Sequence, residues 1–206
     1  MIIEMRTYTL KPGTMAKFEQ AWVEKLPQGR TKLSPLGALL KTEVGQLNTA
    51  IHIWPYESFE ERTRVRAEAT ATGVWPPATS DLIAHMKSEI FIPAPFSPKL
   101  EPRELGGIYE IRMYEYIPGA IPGVIERWSE KIAGRTKISP LVGAWHAELG
   151  GLNKWVHIWA YKDANHRFAA RAEALATGAW PPGGPPGQLV RQENWLCIPA
   201  ACSPLR

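Results

Sequence analysis

Cysteine is scarce in this chain: Cys197 and Cys202 are the only two among 206 residues, and both lie near the C-terminus. Two thiols make no disulfide framework, and without further cysteine partners they make no zinc site. No apolar run approaches the ~18 residues that a membrane span requires. Nor does a charged-then-apolar leader open the chain, because Met1-Ile2-Ile3 runs straight into Glu4 and Arg6. The chain therefore reads as cytoplasmic, with no membrane role. Charge of one sign is lacking too: 24 basic residues against 20 acidic ones leave a formal charge of +4, interspersed along the sequence. That gives no arm for nucleic acid. A phosphate-cradling glycine loop, a nucleophile elbow and a paired-cysteine metal motif are also missing, which argues against nucleotide-dependent enzymes and serine hydrolases.

What is present is a sequence written twice. Glu4-Met5-Arg6-Thr7-Tyr8 answers Glu110-Ile111-Arg112-Met113-Tyr114, about half a chain length away. Gly29-Arg30-Thr31-Lys32-Leu33-Ser34-Pro35-Leu36 answers Gly134-Arg135-Thr136-Lys137-Ile138-Ser139-Pro140-Leu141. His52-Ile53-Trp54 answers His157-Ile158-Trp159, Arg66-Ala67-Glu68-Ala69 answers Arg171-Ala172-Glu173-Ala174, and Trp75-Pro76-Pro77 answers Trp180-Pro181-Pro182. Two copies are too few for a solenoid, so each copy is expected to be a small domain, spanning 1–100 and 107–206. The joint between them carries Pro102 and Gly106-Gly107, which break helix and strand alike.

Within a copy the hydrophobic period switches. Ile2 to Leu10 alternates as a strand, and Thr14 to Leu26 places Phe18, Trp22 and Leu26 at helical spacing. Strands follow over Gly37 to Val44 and Thr49 to Trp54, then a helix over Glu57 to Thr72 ended by Gly73, and a last strand over about Glu89 to Ile92. The order β-α-β-β-α-β is ferredoxin-like: an antiparallel sheet with helices on one face. The fold class is thus α+β, with two tandem ferredoxin-like modules. Their bare faces are expected to meet and close an intramolecular α+β barrel.

Alternation sorts the strand residues into two faces. Ile3, Met5 and Thr7 share one face of the first strand, while Glu4, Arg6 and Tyr8 share the other; Arg112 and Tyr114 repeat this in the second copy. In the third strand Ile51 and Ile53 oppose His52 and Trp54, with His157 and Trp159 matching them. The apolar set is expected to meet the helices. The polar and aromatic set, together with Glu43 and Glu148 at the ends of the second strands, is expected to line the barrel interior. Two readings of that lining stand: a self-satisfied structural network, or a ligand pocket with an aromatic wall and a few polar anchors. On the second reading Arg6 and Arg112 hold an anionic oxygen, His52 and His157 shuttle protons, and Tyr8, Tyr114, Trp54 and Trp159 form the wall. Residues found in one copy only, such as His146 beside Trp145, are the candidates for a specific contact, including haem iron or a bound phenol or quinone. Otherwise no cofactor is implied. Arg62, Arg64 and Arg66 read as a solvated or salt-bridged helix face, and the Trp-Pro-Pro segments as loop anchors on the sheet edge. Free sheet edges leave pairing into a homodimer open.

These pieces resemble the NIPSNAP family. Glu4 to Gly13 is similar to its first strand and turn, and His52-Ile53-Trp54-Pro55-Tyr56 with the Arg-rich helix that follows is similar to its second signature. Tyr109 to Gly119 and Asn153 to Tyr161 repeat both, so the likeness covers nearly the whole chain. The resemblance implies the dimeric α/β-barrel superfamily, with both halves here supplied by one chain. That superfamily includes cofactor-independent monooxygenases, haem-degrading enzymes and isomerases, and the fold does not choose among them. The expectation is a barrel that binds a small hydrophobic or aromatic oxygenated ligand inside, used as a cofactor-independent monooxygenase or isomerase. The alternatives are a non-catalytic protein-interaction module with a filled barrel, and a haem-binding protein.

Overall fold

The computed structural model describes all residues 1–206. The first module runs β1 (Ile2–Leu10), α1 (Met15–Lys25), β2 (Ala38–Val44), β3 (Thr49–Tyr56), α2 (Phe59–Ala71) and β4 (Ile83–Pro93). The second repeats it as β5 (Ile108–Tyr116), α3 (Ile121–Arg135), β6 (Leu141–Leu149), β7 (Lys154–Tyr161), α4 (Ala164–Ala176) and β8 (Leu189–Pro199). No helix is long and apolar enough to cross a membrane.

Local chemistry explains the boundaries. Ser58 Oγ accepts the Glu61 backbone N–H at 3.2 Å while the Glu61 carboxylate accepts the Glu57 N–H at 2.5 Å, a reciprocal cap that starts α2. Asp163 and His166 do the same for α4, at 2.8 and 3.0 Å, which gives His166 a structural role. Pro27 cannot continue α1, so the chain passes into single 3-10 turns over Leu26–Gln28 and Arg30–Lys32. The fourth strand begins six residues earlier than its apolar pattern announces, at Ile83 rather than Glu89. Residues 84–88 are exposed at the rim of the sheet, where burial imposes no alternation.

All eight strands are antiparallel and close into one barrel in the order β1-β3-β2-β8-β5-β7-β6-β4, with β4 returning to β1. The halves join at β2–β8 and β4–β6. Every strand has two neighbours, but β4 meets β6 only over Ile90–Pro93 and β8 meets β2 only over Leu196–Pro199, so one edge of 83–89 and of 189–195 is left unpaired. Each module's last segment also crosses to the other half: the Ala94 N–H donates to Ala144 O and the Ala200 N–H to Leu39 O, both at 2.9 Å.

The two faces are the reverse of the expected ones. Every strand sends its apolar set inward: Ile3, Met5, Leu40, Ile51, Ile53, Phe91, Tyr109, Ile111, Trp145, Val156, Ile158, Trp195 and Cys197 form one buried cluster. Glu4, Arg6, Tyr8, His52 and Trp54, with their second-copy equivalents, instead lie outside the barrel wall and under the helices. The reason is volume and water. An eight-stranded barrel encloses a space that side chains just fill, and apolar ones fill it at least cost; the buried charge it admits is paired, Glu89 with Lys154, at the end where the interior opens. Gly143 marks how tight it is, because a Cβ there would collide with the Trp145 indole. Each helix pair then covers its own module from outside, with Phe18, Trp22 and Val65 on one half and Val124, Trp128 and Ala170 on the other. The middle of the barrel is therefore packed core, and the expected interior chamber is reduced to a cavity of about 370 Å³ at one mouth, lined by Thr7, Glu89, Met113, Lys154 and Trp195.

Trp145 belongs to the second module but packs against Phe91 of the first, with ring centroids 6.4 Å apart. Trp145→Ala is expected to lower the unfolding free energy by about 3–5 kcal/mol. Both modules should melt together in one urea transition that coincides by circular dichroism and fluorescence. Two separated transitions would contradict a shared core.

Candidate functional site

The layer between sheet and helices is organised by one buried acid per module. Glu4 Oε1 on β1 accepts from Arg6 Nη1 (2.9 Å) on the same strand, Arg62 Nη2 (2.6 Å) on α2 and Ser88 Oγ (2.8 Å) on β4, with Arg66 Nη1 at 3.7 Å. Glu110 repeats the arrangement with Arg112 (2.7 Å), Arg167 (2.6 Å) and Asn194 (3.2 Å), and with Arg171 at 3.8 Å. Burial alone would raise the Glu4 carboxyl, but hydrogen bonds from Arg62, Ser88 and Arg6 outweigh it and hold its pKa at about 2. Glu110 is likewise lowered, its burial overcome by Arg167 and Arg112. Of the arginines expected to be a solvated or salt-bridged helix face, Arg62 and Arg66 are salt-bridged, as half of a strand-to-helix ion cluster. Arg64, paired with Glu68 at 3.0 Å on the exposed side, is the one that fits the solvated description.

Next to this cluster stands a histidine in a fixed tautomer. Trp54 Nε1 donates to His52 Nδ1 at 2.7 Å, and Trp159 Nε1 to His157 Nδ1 at 2.8 Å. An indole N–H can only donate, so Nδ1 is the acceptor and a neutral ring carries its hydrogen on Nε2. Burial, then the nearby Arg6 charge, hold His52 well below the usual imidazole range; burial and Arg112 do so for His157. Each Nε2 is buried and has no partner. These imidazoles are donors, locked by their Trp neighbours.

The second cation of each site escaped the sequence analysis. Arg30 is 3% exposed, lies over the Trp54 ring at 3.9 Å and donates to Tyr56 Oη at 2.5 Å, while its Nη1 has no partner. Arg135 repeats it over Trp159 at 4.2 Å, with Ser139 (2.7 Å) and Tyr161 (3.2 Å). Their signal is the Gly-Arg-Thr-Lys stretch, repeated without change in the two copies. Burial lowers both pKa values, yet an arginine stays charged.

In the first module these groups face a cavity of about 630 Å³. Arg6, Tyr8, Arg30, His52, Trp54 and Arg66 line it, and Trp22 and Trp75 complete its wall. Trp75 stands edge-on to Trp22 at 4.8 Å, so the Trp-Pro-Pro segment is a wall of the cavity rather than an anchor at the sheet edge. Arg6 is committed to Glu4 and to Tyr8 Oη (2.9 Å), as Arg112 is to Glu110 and Tyr114 Oη (2.8 Å). Glu43 and Glu148 do not join the site. Both are exposed at strand ends, where they keep their water. His146 is half-buried on β6, opposite Trp155 and Ile92, and lines neither aromatic cavity. No group of three or more His, Cys, Asp or Glu side chains is placed to hold a metal ion.

Two ferredoxin-like modules closed into one eight-stranded barrel define the α+β barrel class of protein. A candidate monooxygenase from Fusobacterium nucleatum shares that fold, with a TM-score of 0.67 over 97% of this chain and 92% of its own, at 9% identity. A profile of the NIPSNAP family matches residues 3–98 and 109–204, and the chain belongs to the NIPSNAP family. Human NipSnap homolog 3A is 31% identical over 98% of this chain and 85% of its own length. The Dictyostelium discoideum NipSnap homolog is 28% identical over 87% of this chain and 78% of its own.

The cluster makes stability depend on acid. The two histidines are held neutral, so the unfolded chain binds more protons below pH 6.5 and stability falls from there. Glu4 adds a second loss as pH falls from 4.5 to about 2. Glu4→Gln is expected to cost about 3 kcal/mol at pH 7, because it leaves buried arginines unpaired. It should also flatten the stability curve below pH 4.5. Urea midpoints across pH check both; an unchanged curve would show the cluster to be idle.

Proposed function

We propose that the first module holds a small-molecule site for an aromatic or hydrophobic ligand that carries an anionic oxygen: a carboxylate, phenolate or enolate. The observation that supports this reading is a pair of buried, unpartnered donors, Arg30 Nη1 and His52 Nε2, both in residues that line one cavity. A buried donor without a partner costs about 1–3 kcal/mol, and an oxyanion that reached either donor would relieve that cost. The volume suits a ligand of one or two rings, with Trp22, Trp54 and Trp75 against its faces. Arg66 and Thr70 stand on the same wall from α2, which favours a ligand whose polar groups also reach toward the helix.

The chemistry this lining supports is stabilisation of negative charge. Glu4 is held ionised by its cations and is a weak base, and the free lone pair of His52 is already taken by Trp54. In place of the proton shuttle expected of it, His52 serves as a neutral donor, and Arg30 replaces Arg6 as the cation that meets the ligand. Enzymatic use of the seat, as a cofactor-independent oxygenase or isomerase, needs a substrate acidic enough to pass through such an anion.

Calorimetric titration with naphthoate and with the uncharged naphthylmethanol tests the reading. The carboxylate is expected to bind and the alcohol to bind at least about tenfold more weakly, the worth of one charge-assisted hydrogen bond. Arg30→Met should weaken naphthoate by about 10- to 100-fold. Arg66→Ala, at a half-exposed position that leaves the core intact, should weaken it by roughly threefold. Equal binding of acid and alcohol would overturn the oxyanion seat.

A further inference from the structure

Most of the seat recurs in the second module, yet it is not open there, and Arg135 Nη1, unlike Arg30 Nη1, is held by Ser139 Oγ at 2.7 Å. His157 Nε2 is buried and unpartnered just as His52 Nε2 is, and Arg135 lies on Trp159 as Arg30 lies on Trp54. The cavity of this module, however, measures about 270 Å³, and neither His157 nor Arg135 lines it. It lies displaced over Val124, Tyr116 and Arg127.

The sequences differ at that boundary. Arg127 stands where the first module has Ala21, Tyr116 where it has Leu10, and the run Pro181 to Gly187 where it has Pro76 to Asp81. Arg127 Nε donates to the Gly183 carbonyl at 3.3 Å and its Nη2 to Gln188 Oε1 at 3.4 Å, so one guanidinium ties α3 to both ends of the loop. A Cβ on Gly184 would stand 3.1 Å from Arg127 Nη2, and its absence lets the guanidinium lie against bare backbone. The loop opens with Trp180, whose ring sits 4.5 Å from Trp128 and 5.7 Å from Trp159. Trp75 stands farther out, at 4.8 Å from Trp22 and 6.2 Å from Trp54.

The geometry points to one working seat per chain and a second, latent seat in the other module, which Arg127 latches shut by holding the Pro-Gly loop and Trp180 against Trp128. The inference rests on the function proposed above, and the latent seat takes the same class of ligand, an aromatic group with an anionic oxygen. Duplication supplies both seats, and one added side chain silences one of them. The repeated residues are those that build the seat; the unrepeated ones decide which copy is used.

Indole N–H resonances read the two modules separately in one titration of nitrogen-labelled full-length protein with naphthoate. In the native chain those of Trp54 and Trp75 are expected to shift, while those of Trp159 and Trp180 stay. Arg127→Ala restores the residue type of the first module and keeps α3 helical. In that variant Trp159 and Trp180 are expected to shift as well, and naphthoate bound per chain at saturation in equilibrium dialysis should double. Shifts in both modules of the native chain would overturn the closed second seat. Shifts confined to the first module in the Arg127→Ala chain would overturn the latch. A native chain in which none of the four resonances moves would contradict the proposed function itself, an outcome distinct from the other two.

Discussion

The constraint on which the rest depends is the dryness of a closed eight-stranded barrel. Once the strands close, the middle of the enclosed space is small and dry, and close-packed apolar side chains fill it without penalty, while Glu89 and Lys154 pair at the end that opens. Strand alternation then leaves the opposite set of residues one place to go, the layer between barrel wall and helices. That layer can tolerate Glu4, Arg6, Arg62 and His52 because cations from α2 reach the acid and solvent reaches the rim. The position of the site, outside the barrel and once per module, is a consequence of closure.

Within that layer the groups specify one another in sequence. The acid gathers the arginines; Arg6 in turn is tied to Tyr8, and Tyr8 stands edge-on to His52 at 4.6 Å. Trp54 fixes the tautomer of His52 and carries Arg30 on its ring face. What remains unpaired is Glu4 Oε2 together with a small set of donors, Trp22 Nε1, Arg30 Nη1, His52 Nε2 and Arg62 Nε. Of these residues Trp22, Arg30 and His52 line the cavity of the first module.

Much of the fold was legible in the residues. The doubled motifs fixed the module count, and the switch between alternating and helical spacing gave α1, α2 and most strands, because strand alternation separates an apolar set from a mixed one and α1 spaces Phe18 and Trp22 on one side. The clustering of Arg6, Tyr8, His52 and Trp54 was legible for the same reason: parity puts them on one side of the sheet. Which side was not, since alternation says that two sets oppose each other and is silent on what covers each. The start of β4 was missed because residues 84–88 bury nothing. Arg30 was missed because it sits on a 3-10 turn, where no periodicity aims a side chain. Glu43 and Glu148 were drawn in by parity along β2 and β6, but those strands run past the covered part of the barrel into water.

Each site histidine is a neutral donor, its Nδ1 accepting from a tryptophan and its Nε2–H buried without a protein partner. Nitrogen NMR of the histidine side chains in the native protein at pH 6 reads this state. His52 and His157 are expected to show an unprotonated, hydrogen-bond-accepting Nδ1 and a protonated Nε2, with the His52 Nε2 signal moving when naphthoate is added. An imidazolium, or a hydrogen found on Nδ1, would contradict it.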